Sequence, residues 1–356
     1  MQLLHRYSPV HASSTVGGRS RALGRREVLR AGGLGALGLA LTACAGSGPG
    51  GSSSPTVIVG CYGVQYVAEL VAGTAAEVVS LAGPGQEPHD VELTIAQGAL
   101  VEKADVVIRI PGFQPALDDV IAARGLDETV LDVSDVVTLL PADEAGHDHA
   151  EPSDGGAAHS EDDGHDHGED GRTEDDGHAS GDGHDHGALD PHFWTDPTML
   201  AAVATELGAR LDAHAGSGTA FADRAAKAVE LLNALDTELR DTFAAVPEPR
   251  VFVTSHAAFG YLAHRYGLTQ VGITGIDPQV EPSPQRLLTL QDAIVAEHVS
   301  TVFFEKSASP KVAQTLADRV GVRAAALDNL ETRLSPDRDY PDVMRANAAE
   351  LVASWR

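Results

Sequence analysis

From Thr56 onward, short apolar runs alternate with segments of helical periodicity. Thr56–Cys61 reads as a buried strand, Val64–Gly73 as a helix and Glu77–Leu81 as a second strand. An amphipathic stretch, Leu93–Lys103, precedes a strand at Val106–Ile110, a helix at Pro115–Ala123 and a strand at Val130–Val133. Runs that are apolar on both faces, alternating with helices, predict a mostly parallel sheet covered by helices. The pattern restarts at Val251–Thr254 and continues through Ala257–Tyr266, Gln270–Ile273, Gln285–Ala296, Thr301–Phe304, Pro310–Val320 and Arg323–Leu327, with a closing helix over Asp342–Trp355. Between the two halves, Asp196 and Pro197 open a helix as N-cap and first helical residue. Phe221–Ala244 then carries apolar residues at 225, 228, 229, 232, 235, 239 and 243, an unbroken helical period about 35 Å long. The fold class expected is α/β: two lobes, each a mostly parallel sheet flanked by helices, joined by one long rigid linking helix.

The segments outside this pattern divide the chain further. Residues 1–43 place Arg19, Arg21, Arg25, Arg26 and Arg30 ahead of an apolar stretch too short to span a membrane, which marks a signal peptide. Arg25-Arg26-Glu-Val-Leu29 resembles a twin-arginine signal, and Leu41-Thr-Ala-Cys44 resembles a lipobox whose cleavage leaves a lipidated Cys44. Residues 44–55 form a Gly/Ser/Pro tether. The N-terminal lobe is expected over 56–215, the linking helix over 216–247 and the C-terminal lobe over 248–356. No stretch beyond the signal is long and apolar enough to cross a membrane.

Composition changes the picture at one place. The formal charge is −27, but residues 143–187 hold sixteen acids against one arginine and so supply −15 of it. The same tract repeats Gly-His-Asp-His three times and contains eight of the sixteen histidines: His147, His149, His159, His165, His167, His178, His184 and His186. Such a composition cannot form a packed core, so a disordered loop offering several weak, interchangeable metal sites is expected. Nucleic acid is not expected as a partner, since nothing in the sequence suggests the basic face it needs. The two cysteines, Cys44 and Cys61, lie in unlike contexts and make no disulfide framework; Cys61 reads as a small core residue.

Three isolated histidines stand at turns: Glu87-Pro-His-Asp90, Asp190-Pro-His-Phe193 and Thr254-Ser-His-Ala257. Singly, each is an ordinary surface or core histidine. Three neutral imidazoles with one carboxylate, however, make a closed tetrahedral shell suited to Zn²⁺. His214, His264 and His298 lack the turn context and are expected to face solvent. No Ser/His/Asp arrangement suggests a nucleophile, and Gly83-Pro-Gly85 lacks the Gly-Lys-Ser/Thr of a phosphate loop.

Five segments carry a specific resemblance: Gly83-Pro-Gly-Gln-Glu-Pro-His-Asp90, Lys103-Ala-Asp-Val-Val-Ile108, Gly112-Phe-Gln-Pro115, Asp190-Pro-His-Phe-Trp-Thr-Asp-Pro197 and Ser255-His-Ala-Ala-Phe-Gly-Tyr261. In this order they resemble the zinc- and manganese-binding lipoproteins of bacterial ABC importers, the cluster 9 or A-I solute-binding family, whose zinc members carry a histidine-rich insertion at the same place. The resemblance implies a metal held in the cleft between two α/β lobes. His89 and His192 would be ligands from the first lobe, and His256 a ligand from the second. The fourth would be Asp328, in Ala326-Leu-Asp-Asn-Leu330, although Asn329 stands where the family has proline. Glu87 competes for that place, and Glu281 and Glu305 fall on segments lining the cleft, where they would orient ligands.

Manganese members tend to carry glutamate at the position of His256, so the imidazole here favours Zn²⁺ over the harder Mn²⁺. The expected function is therefore capture of Zn²⁺ outside the cell membrane by a monomer tethered through Cys44, and its delivery to an ABC permease and its ATPase. The protein is not expected to be an enzyme. The alternatives are a manganese-binding member of the same family, a surface metal buffer or adhesin, and a zinc-dependent hydrolase with Glu87 as base.

Overall fold

The computed structural model describes residues 54–83, 85–142, 189–215 and 220–356. The signal peptide, Cys44 and the histidine-rich tract 143–187 lie outside the described residues.

Each lobe is built on a four-stranded, wholly parallel sheet. In the first lobe, β1 (Thr56–Val59), α1 (Tyr62–Ala72), β2 (Glu77–Ser80), α2 (Ile95–Val101), β3 (Val106–Arg109), α3 (Pro115–Arg124) and β4 (Val130–Asp132) give the strand order β2-β1-β3-β4. The second lobe follows with β5 (Val251–Thr254), α6 (Gly260–Tyr266), β6 (Thr269–Gly272), α7 (Pro284–Ala296), β7 (Thr301–Glu305), α8 (Lys311–Val320), β8 (Arg323–Leu327) and α9 (Tyr340–Ser354), in the order β6-β5-β7-β8. Between the lobes run α4 (Pro197–Ala215) and α5 (Phe221–Ala244). In both sheets the chain reverses its lateral direction beside the first strand, and ligands of such sheets bind at the strand ends next to that reversal.

The expected two-lobed α/β fold with a long joining helix is therefore what the chain adopts, and physical chemistry explains how α5 holds its place. Its residues Ala225, Ala228, Leu232, Leu235, Leu239 and Phe243 are buried in an apolar cluster that runs from Val57 and Trp194 of the first lobe to Phe252 and Phe303 of the second. Polar bonds hold it at two points along its length. Near its start, Arg224 Nε donates to the Val71 carbonyl (2.7 Å). Further along, the Asp236 carboxylate accepts from Arg265 through both oxygens (2.9 Å each), from Arg240 Nη2 (2.7 Å) and from the Tyr266 hydroxyl (3.2 Å). Bidentate guanidinium–carboxylate pairing sets an orientation as well as a distance.

After β8 the chain returns to the first lobe. The N–H groups of Tyr62 and Gly63, at the start of α1, donate to the carbonyls of Glu331 (2.8 Å) and Leu330 (3.0 Å). Trp194 Nε1 donates to the Asn329 carbonyl (2.8 Å), the Tyr340 hydroxyl donates to the Trp194 carbonyl (2.7 Å), and the rings of Tyr66 and Tyr340 stack with centroids 5.5 Å apart. Gly63 permits this approach, because a Cβ at that position would stand 2.7 Å from the Trp194 side chain. Among the described residues no helix is long and apolar enough to cross a membrane.

Candidate metal centre

His256 follows β5 and Glu305 ends β7, so the two meet at the strand-order reversal of the second sheet. His89 sits in the loop between β2 and α2. Its backbone is steadied by Gln114, whose buried amide donates to the carbonyls of Gly60 (3.3 Å) and Pro88 (3.1 Å), and by Glu87, which accepts from the His89 N–H (3.3 Å). His192 precedes the 3-10 turn Phe193–Thr195 that leads into α4. There Asp196 acts as the helix cap, accepting from the Thr198 N–H (2.8 Å) and hydroxyl (2.7 Å).

These three histidines converge. His192 Nε2 lies 3.3 Å from His89 Nε2 and 3.4 Å from His256 Nε2. One further group joins them, and it is Glu331: its Oε1 lies 3.6, 3.4 and 3.6 Å from the Nε2 atoms of His89, His192 and His256. One donor atom from each of the four residues lies within 4.8 Å of every other, and all four residues are buried. A tetrahedron with metal–donor bonds of about 2.05 Å has edges of roughly 3.3–3.4 Å. The five separations given above lie at or slightly beyond those edges, so the four donors surround a space of about zinc-ion size.

The surroundings set the protonation. His192 Nδ1 lies 2.7 Å from Asp190 Oδ1, which also accepts the His192 N–H (2.9 Å). His256 Nδ1 lies 2.8 Å from Glu305 Oε2, and Glu305 Oε1 accepts from the Ser255 hydroxyl (2.6 Å) and the His256 N–H (3.2 Å). A carboxylate at Nδ1 keeps the proton there and turns the Nε2 lone pair toward the cavity. Burial alone lowers the pKa of His192, but Asp190 and Glu331 outweigh it and raise the group to about 9. His256 is likewise lowered by burial and raised overall by Glu305. His89, where burial dominates, titrates below its ordinary value. Burial would push Glu331 up, yet the imidazoles hold its carboxyl well below the usual range. Neither Glu331 oxygen has a hydrogen-bond partner among the described residues, an arrangement that is costly for a carboxylate unless positive charge faces it.

The remaining acids named from the sequence take other places. Asp328 does not stand among the four donors, and the carboxylate found there is Glu331. The physical reason is a turn: Asp328 Oδ1 accepts the Leu330 N–H (3.1 Å), Leu330 adopts a positive φ of 61°, and the chain thereby swings Glu331 inward. Asp328 instead lines a separate cavity of about 250 Å³ with Lys306, Arg333 and Arg338. Glu87, raised to about 7 chiefly by burial and then by Glu331, stays beside the cluster without entering it. Glu281 is exposed on the loop before α7 and is not brought to the histidines. Glu331 was missed because it lies three residues beyond the expected aspartate; a second acid in the same post-β8 loop was the only sequence signal for it. His214, His264 and His298 are exposed, His214 lying 2.9 Å from Asp105, and Cys61 is fully buried in the core.

The role of the Asp190 charge is open to test. Asp190→Asn keeps an acceptor at His192 Nδ1 and removes the charge, so the His192 pKa should fall back toward the ordinary histidine range and zinc affinity should drop by about 10-fold or more. Histidine proton chemical shifts followed against pH would check the first effect, and competition with a zinc chelator the second.

Two α/β lobes with one buried polar cluster at their junction is the build of a solute-binding protein. The chain belongs to the ZnuA family, described as the periplasmic component A of the zinc-uptake complex, whose model matches residues 57–354. Zinc-binding lipoprotein AdcA of Streptococcus pneumoniae is 30% identical over 304 residues, covering 83% of this chain and 54% of AdcA. High-affinity zinc uptake system protein ZnuA of Bacillus subtilis is 34% identical over 172 residues, covering 47% of this chain and 54% of that protein. The chain spans about half the length of these curated relatives. A crystal structure of a Zn(II)-bound mutant variant of S. pneumoniae AdcAII shares the fold with a TM-score of 0.66 at 22% identity, covering 85% of this chain and 99% of that one.

Proposed function

We propose that this protein captures Zn²⁺ as cargo between His89, His192, His256 and Glu331 and delivers it to an ABC permease. The observation that carries the reading is the buried convergence of four donors, five of their six separations being 3.3–3.6 Å and all lying within 4.8 Å. Three imidazoles and one carboxylate favour zinc over manganese, which prefers more oxygen donors and six-fold geometry. Four protein donors complete a tetrahedral shell and leave no position for a catalytic water, so the site is suited to holding an ion rather than to hydrolysis. Membership in the periplasmic zinc-uptake family, and the likeness to the zinc-binding lipoprotein AdcA, support an extracytoplasmic place for it. Lipidation at Cys44 would supply the tether, and the histidines of 143–187 would supply weaker collecting sites.

Titration with Zn²⁺ and Mn²⁺ in competition with chelators tests the reading. One tight zinc site per chain is expected, with manganese bound far more weakly and with the tight site kept after deletion of residues 143–187. Tighter binding of manganese, or no tight zinc site, overturns it.

Proton release gives a second measurement. His192, raised to about 9, is imidazolium at pH 7 in the metal-free protein, and the ion binds only its neutral form. Zinc binding should therefore release protons at pH 7, chiefly from His192, with His256, also raised, adding to them. Affinity should rise by about tenfold per pH unit for each proton released, until pH passes roughly 9, where the release fades. This window lies above the ordinary histidine range that the isolated sequence suggests. Binding enthalpies measured in buffers of different ionisation enthalpy read the proton count directly.

A further inference from the structure

Three of the four donors are tied to the first lobe, although the chain order divides them two and two. His89 and His192 belong to that lobe by sequence. Glu331 follows β8 of the second lobe, yet its own carbonyl and that of Leu330 accept from the N–H groups of Tyr62 and Gly63 at the start of α1. The next carbonyl back, that of Asn329, accepts from the Trp194 indole at 2.8 Å. Trp194 is itself fully buried, packed edge-on against His192 (centroids 5.2 Å) and Phe113 (5.1 Å), and its carbonyl accepts from Tyr340. It therefore touches both the His192 ring and the loop that carries Glu331, without donating any atom to the cluster. Among the described residues no comparable hydrogen bond ties Glu331 to β5 or β7, and His256 is held by Glu305 of its own lobe.

We infer that Trp194 is a positioning residue for Glu331: its indole N–H pins the post-β8 loop to the first lobe, so that His89, His192 and Glu331 form one unit and His256 is the single donor contributed by the other lobe. Parting of the lobes then breaks one metal bond rather than two. The carboxylate stays with the ion until the loop itself is released from Tyr62, Gly63 and Trp194. Delivery accordingly has two separable steps, loss of His256 and loss of Glu331, and the second is governed by a hydrogen bond some distance from the metal. The inference rests on the zinc reading above and concerns how that site is held together.

The test is a double-mutant cycle on zinc dissociation into excess chelator, using the full chain. Trp194→Phe retains an aromatic ring and removes the donor; dissociation is expected to be at least tenfold faster than in the native protein. Glu331→Gln is expected to be faster still, and adding Trp194→Phe to it should change the rate by less than twofold, because the tryptophan acts through that carboxylate. Trp355→Phe serves as the control. It also removes an indole donor, the one given to the Val251 carbonyl at 2.6 Å, but far from the cluster, and should leave the rate unchanged. A Trp194→Phe rate within twofold of native overturns the inference, as does an equal acceleration by Trp194→Phe in the native and Glu331→Gln backgrounds, which marks a general packing role. Absence of tight zinc binding in the native protein would instead overturn the zinc reading.

Discussion

Replacing His192 with alanine should remove tight zinc binding while leaving both sheets intact. Closed zinc sites of this kind bind with roughly 10–16 kcal/mol at neutral pH, so one donor in four accounts for about 3 kcal/mol or more, a loss on the order of a hundredfold to a thousandfold. His192 stands at the upper end of that range, because its Nε2 lies within 3.3–3.4 Å of all three other donors. Its removal also leaves Asp190, fully buried, facing an empty pocket, and the Glu331 carboxylate loses its nearest positive partner. Isothermal titration in the presence of a chelator gives the affinity, and far-ultraviolet circular dichroism shows whether the fold survives. Retention of native affinity by a folded His192→Ala protein would remove the basis for placing zinc among these residues.

The second large effect separates two acids three residues apart. Glu331→Gln preserves size and removes the only charge that the cluster directs at the ion. Affinity should fall by about 10- to 100-fold, with faster dissociation, since a neutral amide oxygen replaces an anionic donor in a dry site. Asp328→Asn should leave zinc affinity within about twofold of native, although it disturbs a local turn at a cost of about 1 kcal/mol. The reverse ranking would return the fourth position to Asp328. Chelator competition on the two variants, with thermal melting to record stability, decides between them.

The contrast between these residues shows where the sequence stops being informative. Strands β1 to β8 were legible because parallel strands covered on both faces are continuous apolar runs, and the helices because their apolar positions repeat on one face. The long helix was legible for the same reason, its buried residues being the apolar positions of the period. His89, His192 and His256 could be singled out because each stands at a Pro- or Ser-marked turn, where loops of this fold class gather ligands. Glu305 was recognisable as a residue of interest, and Asp190 as a sequence neighbour of His192, but neither as the partner of a particular ring nitrogen. That pairing depends on side-chain direction at buried positions. The His192 pKa of about 9 was invisible for the same reason, since it sums the charges of Asp190 and Glu331, which lie far apart in the chain.

The sequence by itself determined the two α/β halves, the helix between them, the acidic histidine-rich insertion and the three imidazoles. All of these follow from local periodicity, composition and turn chemistry, properties carried by a few adjacent residues. The tertiary structure alone decided which carboxylate completes the cluster. The loop after β8 contains Asp328 and Glu331, and either satisfies the chemistry of a fourth donor. The choice falls to Glu331 because Leu330 turns the chain and because Tyr62, Gly63 and Trp194, more than a hundred residues away, hold the loop against the first lobe. A contact between segments so remote leaves no trace in the spacing of either one.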